Sequence, residues 1–125
     1  MAETFDEIIE TGRLYVEGMT FGDEGKLRRA FHPGASSIGH FEGGLEWDGL
    51  DAVIAVFRGN AAPAGTAPFW RVDSVSVAGD TAVVRVTDGW AGARFVDTLS
   101  LIRHEGRWVI VAKLFFHDAE ASAGG

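Results

Sequence analysis

The stretch that decides the fold runs from Phe69 to His117: FWRVDSVSVAGDTAVVRVTDGWAGARFVDTLSLIRHEGRWVIVAKLFFH. β-Branched and aromatic residues dominate it, and three short breaks, Gly79-Asp80, Ala91-Gly92 and Glu105-Gly106, divide it into four pieces. Breaks of this length and composition are hairpin turns. The reading is four strands, Phe69 to Ala78, Thr81 to Trp90, Arg94 to His104 and Arg107 to His117, joined by successive hairpins into an antiparallel meander.

Upstream the pattern changes to helical. Phe5, Ile8, Ile9, Leu14, Tyr15 and Met19 recur at mostly helical spacing behind an acidic first turn, which predicts a helix over residues 4 to 20. After the Gly22-Asp23 break, Leu27, Ala30 and Phe31 predict a short second helix, with Asp23 as N-cap and a stop before Pro33. Ala35 to Trp47 alternates poorly and contains Gly39, Gly43 and Gly44, as an irregular strand or hairpin would. Asp48 or Asp51 could cap a third helix through Ala52, Val53, Ile54, Val56 and Phe57, ending at Gly59, before a loop from Asn60 to Pro68. Three helices ahead of a long antiparallel sheet bury both partners only if the sheet curls around the helices. The expectation is one α+β domain over residues 1–125, a cone with an internal cavity, and a flexible tail over 119–125.

Composition narrows the function. At 125 residues, 46% hydrophobic and 23% charged, the chain suits one globular domain. Without cysteine there is no disulfide framework, thiolate nucleophile or cysteine-based zinc site. A net charge of -7, with no basic cluster beyond Lys26, Arg28 and Arg29, argues against a nucleic-acid partner. The longest uncharged stretch, Gly59 to Trp70, is interrupted by Asn60, Pro63, Gly65 and Pro68, so no membrane span is expected. Glu3, Asp6, Glu7 and Glu10 are the opposite of a basic signal peptide, which makes the cytoplasm the expected location.

Three motifs carry a resemblance: Tyr15-Val-Glu-Gly18 with Gly22-Asp23; Ala30-Phe-His-Pro-Gly-Ala35; and Phe95-Val-Asp-Thr-Leu-Ser-Leu101 with Gly106-Arg-Trp-Val-Ile-Val-Ala-Lys113. They are similar to the nuclear transport factor 2-like superfamily, which includes ketosteroid isomerase, scytalone dehydratase and the SnoaL-like polyketide cyclases, and most of all to its branch labelled putative lumazine-binding. The resemblance covers nearly the whole chain. It implies a curved sheet around N-terminal helices, a pocket for a small apolar molecule, and a homodimer paired through the outer face of the sheet. Against ketosteroid isomerase, Tyr15 and Asp97 fall at the positions of the two oxyanion-hole donors, one of them a carboxyl kept protonated by burial. That enzyme's general-base aspartate falls at Gly39, which cannot abstract a proton; His40 is next to it.

Each candidate has a plainer alternative. Asp97 shares one face with Phe95 and Leu99, so it is either a protonated carboxyl in the cavity or a carboxylate paired with Lys113 or Arg94. Tyr15, the only tyrosine, is an oxyanion donor or a core tyrosine tied to a backbone carbonyl. His32 could cap the second helix or face the pocket, and His40 could act as base if the irregular strand turns it inward. His104 and His117 read as solvated, and the four histidines lack metal-ligand spacing, so neither metal nor cofactor is expected. Phe41, Trp47, Phe57 and Trp70 are candidate pocket walls, with Phe95, Lys113 and Phe115 from the meander; Trp108 could lie on the outer face. The functional expectation is a cofactor-free acid–base lyase, isomerase or cyclase acting on a small apolar cyclic or aromatic metabolite. The alternatives are a non-catalytic ligand-binding module and a dimerising scaffold.

Overall fold

A computed structural model describes residues 2–124. Helix α1 (Ala2–Phe21) buries Ile8, Thr11, Tyr15, Val16 and Met19, and α2 (Glu24–Ala30) follows after Gly22. Gly22 has φ +61°, and a Cβ there would stand 2.8 Å from Arg58 Cα, so both backbone angle and space demand glycine. Asp23 caps α2 as expected, its side chain accepting from the Lys26 amide at 3.1 Å.

The irregular stretch is a hairpin, β1 (Phe31–Phe41) and β2 (Gly44–Gly49), turned by Glu42 and Gly43, both at positive φ. Helix α3 (Leu50–Gly59) buries Leu50, Val53, Ile54 and Phe57, a spacing of three, four and seven that makes one face. Its N-cap is Gly49, with no side-chain bond, so the expected capping by Asp48 or Asp51 is corrected; Asp51 instead pairs with Arg28 at 2.8 Å. The meander is β3 (Trp70–Ala78), β4 (Thr81–Trp90), β5 (Ala93–His104) and β6 (Arg107–His117), within a residue of expectation at every end.

The six strands form one sheet in the order β2-β1-β6-β5-β4-β3. β1 lies parallel to β6, so the sheet is mixed rather than wholly antiparallel. The long crossover between them, through α3 and four strands, is what a parallel neighbour requires. The helices cover one face of this curved sheet, and the core between the layers joins Leu27, Ile54, Val84, Leu99 and Ile110. A bulge in β6 leaves Val111 unpaired between Ile110, opposite Leu101, and Ala112, opposite Ser100. It lets Trp108 and Ile110 face the core before it, while Lys113 is buried after it. Trp108 is therefore a core residue and not part of the outer face. Within the expected tail, Ala119–Gly124 form a short helix, α4, whose start is held by the Ala121 amide donating to Asp118 Oδ1 at 3.0 Å, while Gly125 lies outside the described residues. No helix among the described residues is long and apolar enough to cross a membrane.

Candidate functional site

Between α1, α3 and the covered face of the sheet lies a cavity of about 160 Å³ with an apolar body and one polar end. Met19, Phe57, Trp90, Phe95 and Phe115 line the body, with Phe41 at its side. Rings pack edge to face or tilted around Phe95, with centroids 5.9 Å from Phe41, 6.0 Å from Phe115 and 6.4 Å from Trp90. The Trp90 indole nitrogen is buried without a partner, a donor available to a ligand.

The polar end is built by strand alternation. On β5, Phe95, Asp97, Leu99 and Leu101 point inward; on β4, Ala82, Val84, Val86 and Asp88 do the same. Asp97 pairs with Val86 and Phe95 with Asp88, so the two carboxyls are diagonal neighbours on one face of adjacent strands. Both are fully buried. The Tyr15 hydroxyl donates to Asp97 Oδ2 at 2.6 Å and lies 3.4 Å from Met19 Sδ. Asp97 Oδ1 and both oxygens of Asp88 have no hydrogen-bond partner.

Burial pushes the Asp88 carboxyl well above the usual carboxylate range; Asp97 adds to this as an acceptor for a protonated Asp88 and as a negative charge, and Lys113 partly opposes it. Two carboxylates cannot hydrogen-bond to one another, since both only accept. The unpartnered oxygens of Asp88 and its raised affinity for a proton thus have one explanation: a protonated Asp88 becomes a donor toward Asp97. Burial also holds the Tyr15 phenol well above its ordinary value, aided by the charges of Asp97 and Asp88 and by its bond to Asp97, so it stays a neutral donor.

Lys113 completes the polar end. It is 6% exposed, and its ammonium stands 5.1 Å from the centres of the Tyr15 and Phe57 rings and 5.4 Å from that of Phe115. No ion pair within 4 Å holds it among the described residues, so the expected pairing with Asp97 is replaced by an aromatic box. Arg94, the other cation considered for Asp97, stacks on Phe69 with its guanidinium carbon 3.8 Å from the ring centre.

Tyr15, Asp97, Phe41, Phe57, Phe95, Lys113 and Phe115 all meet at this cavity. Trp47 does not: it is 68% exposed on β2. Trp70 packs beside α1, with Arg13 5.5 Å above its ring, outside the lining. His40 and His32, the candidate proton carriers, are not among the residues that line the cavity. His40 has the parity opposite to Ser37 and Phe41, which line the cavity, and is exposed. His32 accepts from the Gly34 amide at 2.9 Å and contacts the ring of His104, away from the pocket. Gly39 also acquires a physical reason. A Cβ there would fall 2.5 Å from Phe115 O and 2.7 Å from its ring, so Phe115 fills the space that an acid at this position would use.

Asp88 was missed, although alternation from Val84 and Val86 points to it; an aspartate one residue from Gly89 reads as the approach to a turn. Among the described residues no group of His, Asp and Glu side chains is placed to hold a metal ion.

The family described as "Putative lumazine-binding" matches residues 3–116. An NTF-2-like protein of unknown function from Silicibacter pomeroyi DSS-3 superposes with a TM-score of 0.90 at 43% identity, covering 93% of this chain and 97% of that one. An NTF2-like protein from Methylobacillus flagellatus KT superposes with a TM-score of 0.83 at 25% identity, covering 94% of each. Aldolase FrzH from a Cladobotryum species is 25% identical over 113 residues, 89% of each chain.

Proposed function

The chain belongs to the putative lumazine-binding family, within the nuclear transport factor 2-like fold, and is a small-ligand pocket protein; on that premise we propose a cofactor-free acid–base enzyme, a lyase, isomerase or cyclase acting on a small apolar ring compound that carries a carbonyl group. One observation carries this reading: a buried row of proton donors and acceptors, Tyr15, Asp97 and Asp88, closes the end of an aromatic cavity and leaves carboxyl oxygens unpartnered. Buried groups of this kind attract ligand atoms that complete their bonds. When a substrate binds, the proton that Asp88 directs toward Asp97 turns to the carbonyl oxygen as negative charge develops there, which frees Oδ1 of Asp97 to take the proton that the substrate loses. Tyr15 fixes the other oxygen of Asp97 and disperses its charge. The aldolase relative supports a carbonyl substrate, since aldol chemistry makes or breaks a bond beside that group.

The test is turnover of small aromatic and cyclic β-hydroxy ketones and ketones. Tyr15→Phe and Asp97→Asn are each expected to lower kcat/KM by about 100-fold or more. Unchanged turnover in both variants overturns the reading. A non-catalytic binder is the second reading, favoured by the filled position over Gly39; it predicts ligand binding with no turnover at all. For both we propose a cytoplasmic homodimer, paired through an outer sheet face on which Leu45, Trp47, Leu114 and Phe116 are exposed.

A further inference from the structure

We propose that Lys113 is a nucleophile of this pocket, its amine condensing with an aldehyde or ketone on a small ring to form an imine. The proposal deepens the carbonyl-enzyme reading above and rests on it. Lysine is costly to bury, and the usual compensation is a carboxylate in direct contact. Here the side chain is 6% exposed, its nitrogen is surrounded by the rings of Tyr15, Phe57 and Phe115, and the carboxyls of the site lie beyond ion-pair distance. The same side chain lines the cavity. Lysines desolvated among apolar groups are the ones that serve as amine nucleophiles.

The remaining groups supply the protons that the condensation moves. Lys113 gives up one proton, relayed to Asp97 through a water, and attacks the carbonyl carbon, so that the nitrogen–carbon bond forms as the carbonyl π pair moves to oxygen. Asp88 protonates that oxygen, a second proton transfer carries it away as water, and nitrogen loses its last proton or keeps it as an iminium. Amine and carbonyl become imine and water, with no change of oxidation state. Protonated, the imine draws electrons from the neighbouring carbon more strongly than the ketone it replaces.

The cavity also limits the substrate. A dry cavity of about 150 Å³ holds one benzene ring, close to the 160 Å³ found here. One ring with a short carbonyl arm fits, and benzaldehyde is the matching probe.

The sequence provides its own control, because Lys26 is the only other lysine. Lys26 is partly exposed and bound to Glu17 at 2.7 Å, so uncatalysed reductive alkylation should favour it over a buried amine. The full chain is incubated with benzaldehyde and cyanoborohydride, which reduces imines to stable amines, and the benzyl group is located by peptide mass spectrometry. Labelling of Lys113 is expected to be saturable and at least ~10-fold faster than that of Lys26. Benzyl alcohol, with the same ring and no carbonyl, should compete. Lys113→Met and Lys113→Arg, checked for folding by circular dichroism, should lose the fast phase while Lys26→Arg keeps it. Labelling confined to Lys26 in the wild-type chain overturns the imine without recourse to any variant. If benzyl alcohol still binds in calorimetry, the pocket reading survives that result; if it does not bind, the pocket reading fails as well.

Discussion

On the helix-covered face of the sheet, β4, β5 and β6 bury Asp88, Asp97 and Lys113, whereas on the outer face β1, β2 and β6 leave apolar side chains in water. The outer residues are contiguous. Trp47 sits opposite Ile38, which sits beside Leu114, and in the next row Leu45, His40 and Phe116 are neighbours. A soluble domain ordinarily does the reverse, hiding apolar groups and exposing charge. The inversion fits the proposed partners: ionisable groups are kept dry where the proposed ligand would use them, and apolar ones are exposed where the proposed second subunit would cover them.

The sharpest way to break the inner face is to force a side chain into the place that Phe115 already fills. Gly39→Asp restores the acid that the family resemblance places there, but its Cβ meets the Phe115 carbonyl at 2.5 Å, and backbone cannot step aside cheaply. Overpacking and an unpaired buried charge together should cost about 3 kcal/mol or more, read as a drop in urea midpoint. Gly39→Ala, with the clash and no charge, should cost roughly 1–3 kcal/mol. If Gly39→Asp is as stable as the parent, Phe115 moves freely and the pocket has a second form.

The outer face breaks differently. Phe116→Glu puts a charge at the middle of the exposed patch, and sedimentation should show the proposed dimer weakened by about 100-fold while the isolated subunit keeps its fold. An unchanged, monomeric sedimentation profile in both proteins removes the dimer and leaves the patch without a role.

A smaller effect isolates Asp88. Folding raises its proton affinity, so between the unfolded value of about 3.9 and the higher folded one the native chain binds more protons than the unfolded chain. Stability therefore falls as pH rises through that window, by about 1.4 kcal/mol for each pH unit between the two values, and stays lower above it. Asp88→Asn is neutral at every pH. Its stability at about pH 8 should match or exceed that of the parent, and the difference should shrink as the pH approaches about 4. The opposite slope would mean that Asp88 is held as a carboxylate by Lys113.

The sequence made the two faces unequally legible. Alternation along β5 is regular, so the facing of Asp97 followed from Phe95 and Leu99, and the resemblance supplied its partner Tyr15 across 82 residues. The helices and the meander were legible for the same reason, since their periodicity is local. What was not local stayed hidden. The parallel pairing of β1 with β6 brings together segments far apart in the chain, and only that pairing sets Gly39 against Phe115. The bulge at Val111 breaks alternation within β6, so residues before it do not fix the facing of Lys113 after it. Gly49 caps α3 without a side chain, and no sequence signal marks such a cap.

The smallest expected effect falls on His40, the base candidate that the sequence places beside Gly39. A base beside Gly39 was attractive because histidine titrates near neutral pH, yet its own strand places it on the face with Ile38, between Leu45 on β2 and Phe116 on β6. Its side chain is exposed and cannot reach a ligand held on the other side of the sheet. His40→Gln should change stability by less than about 0.5 kcal/mol, as exposed substitutions do. It should also leave unchanged both ligand affinity and the pH profile of turnover. Since His40 neighbours Leu45 and Phe116, the substitution could still alter self-association measured by sedimentation, and that readout separates a residue of the outer surface from one of the pocket. A His40→Gln chain that lost turnover while keeping its sedimentation profile would put the chemistry on the wrong side of the sheet and overturn the division between the faces.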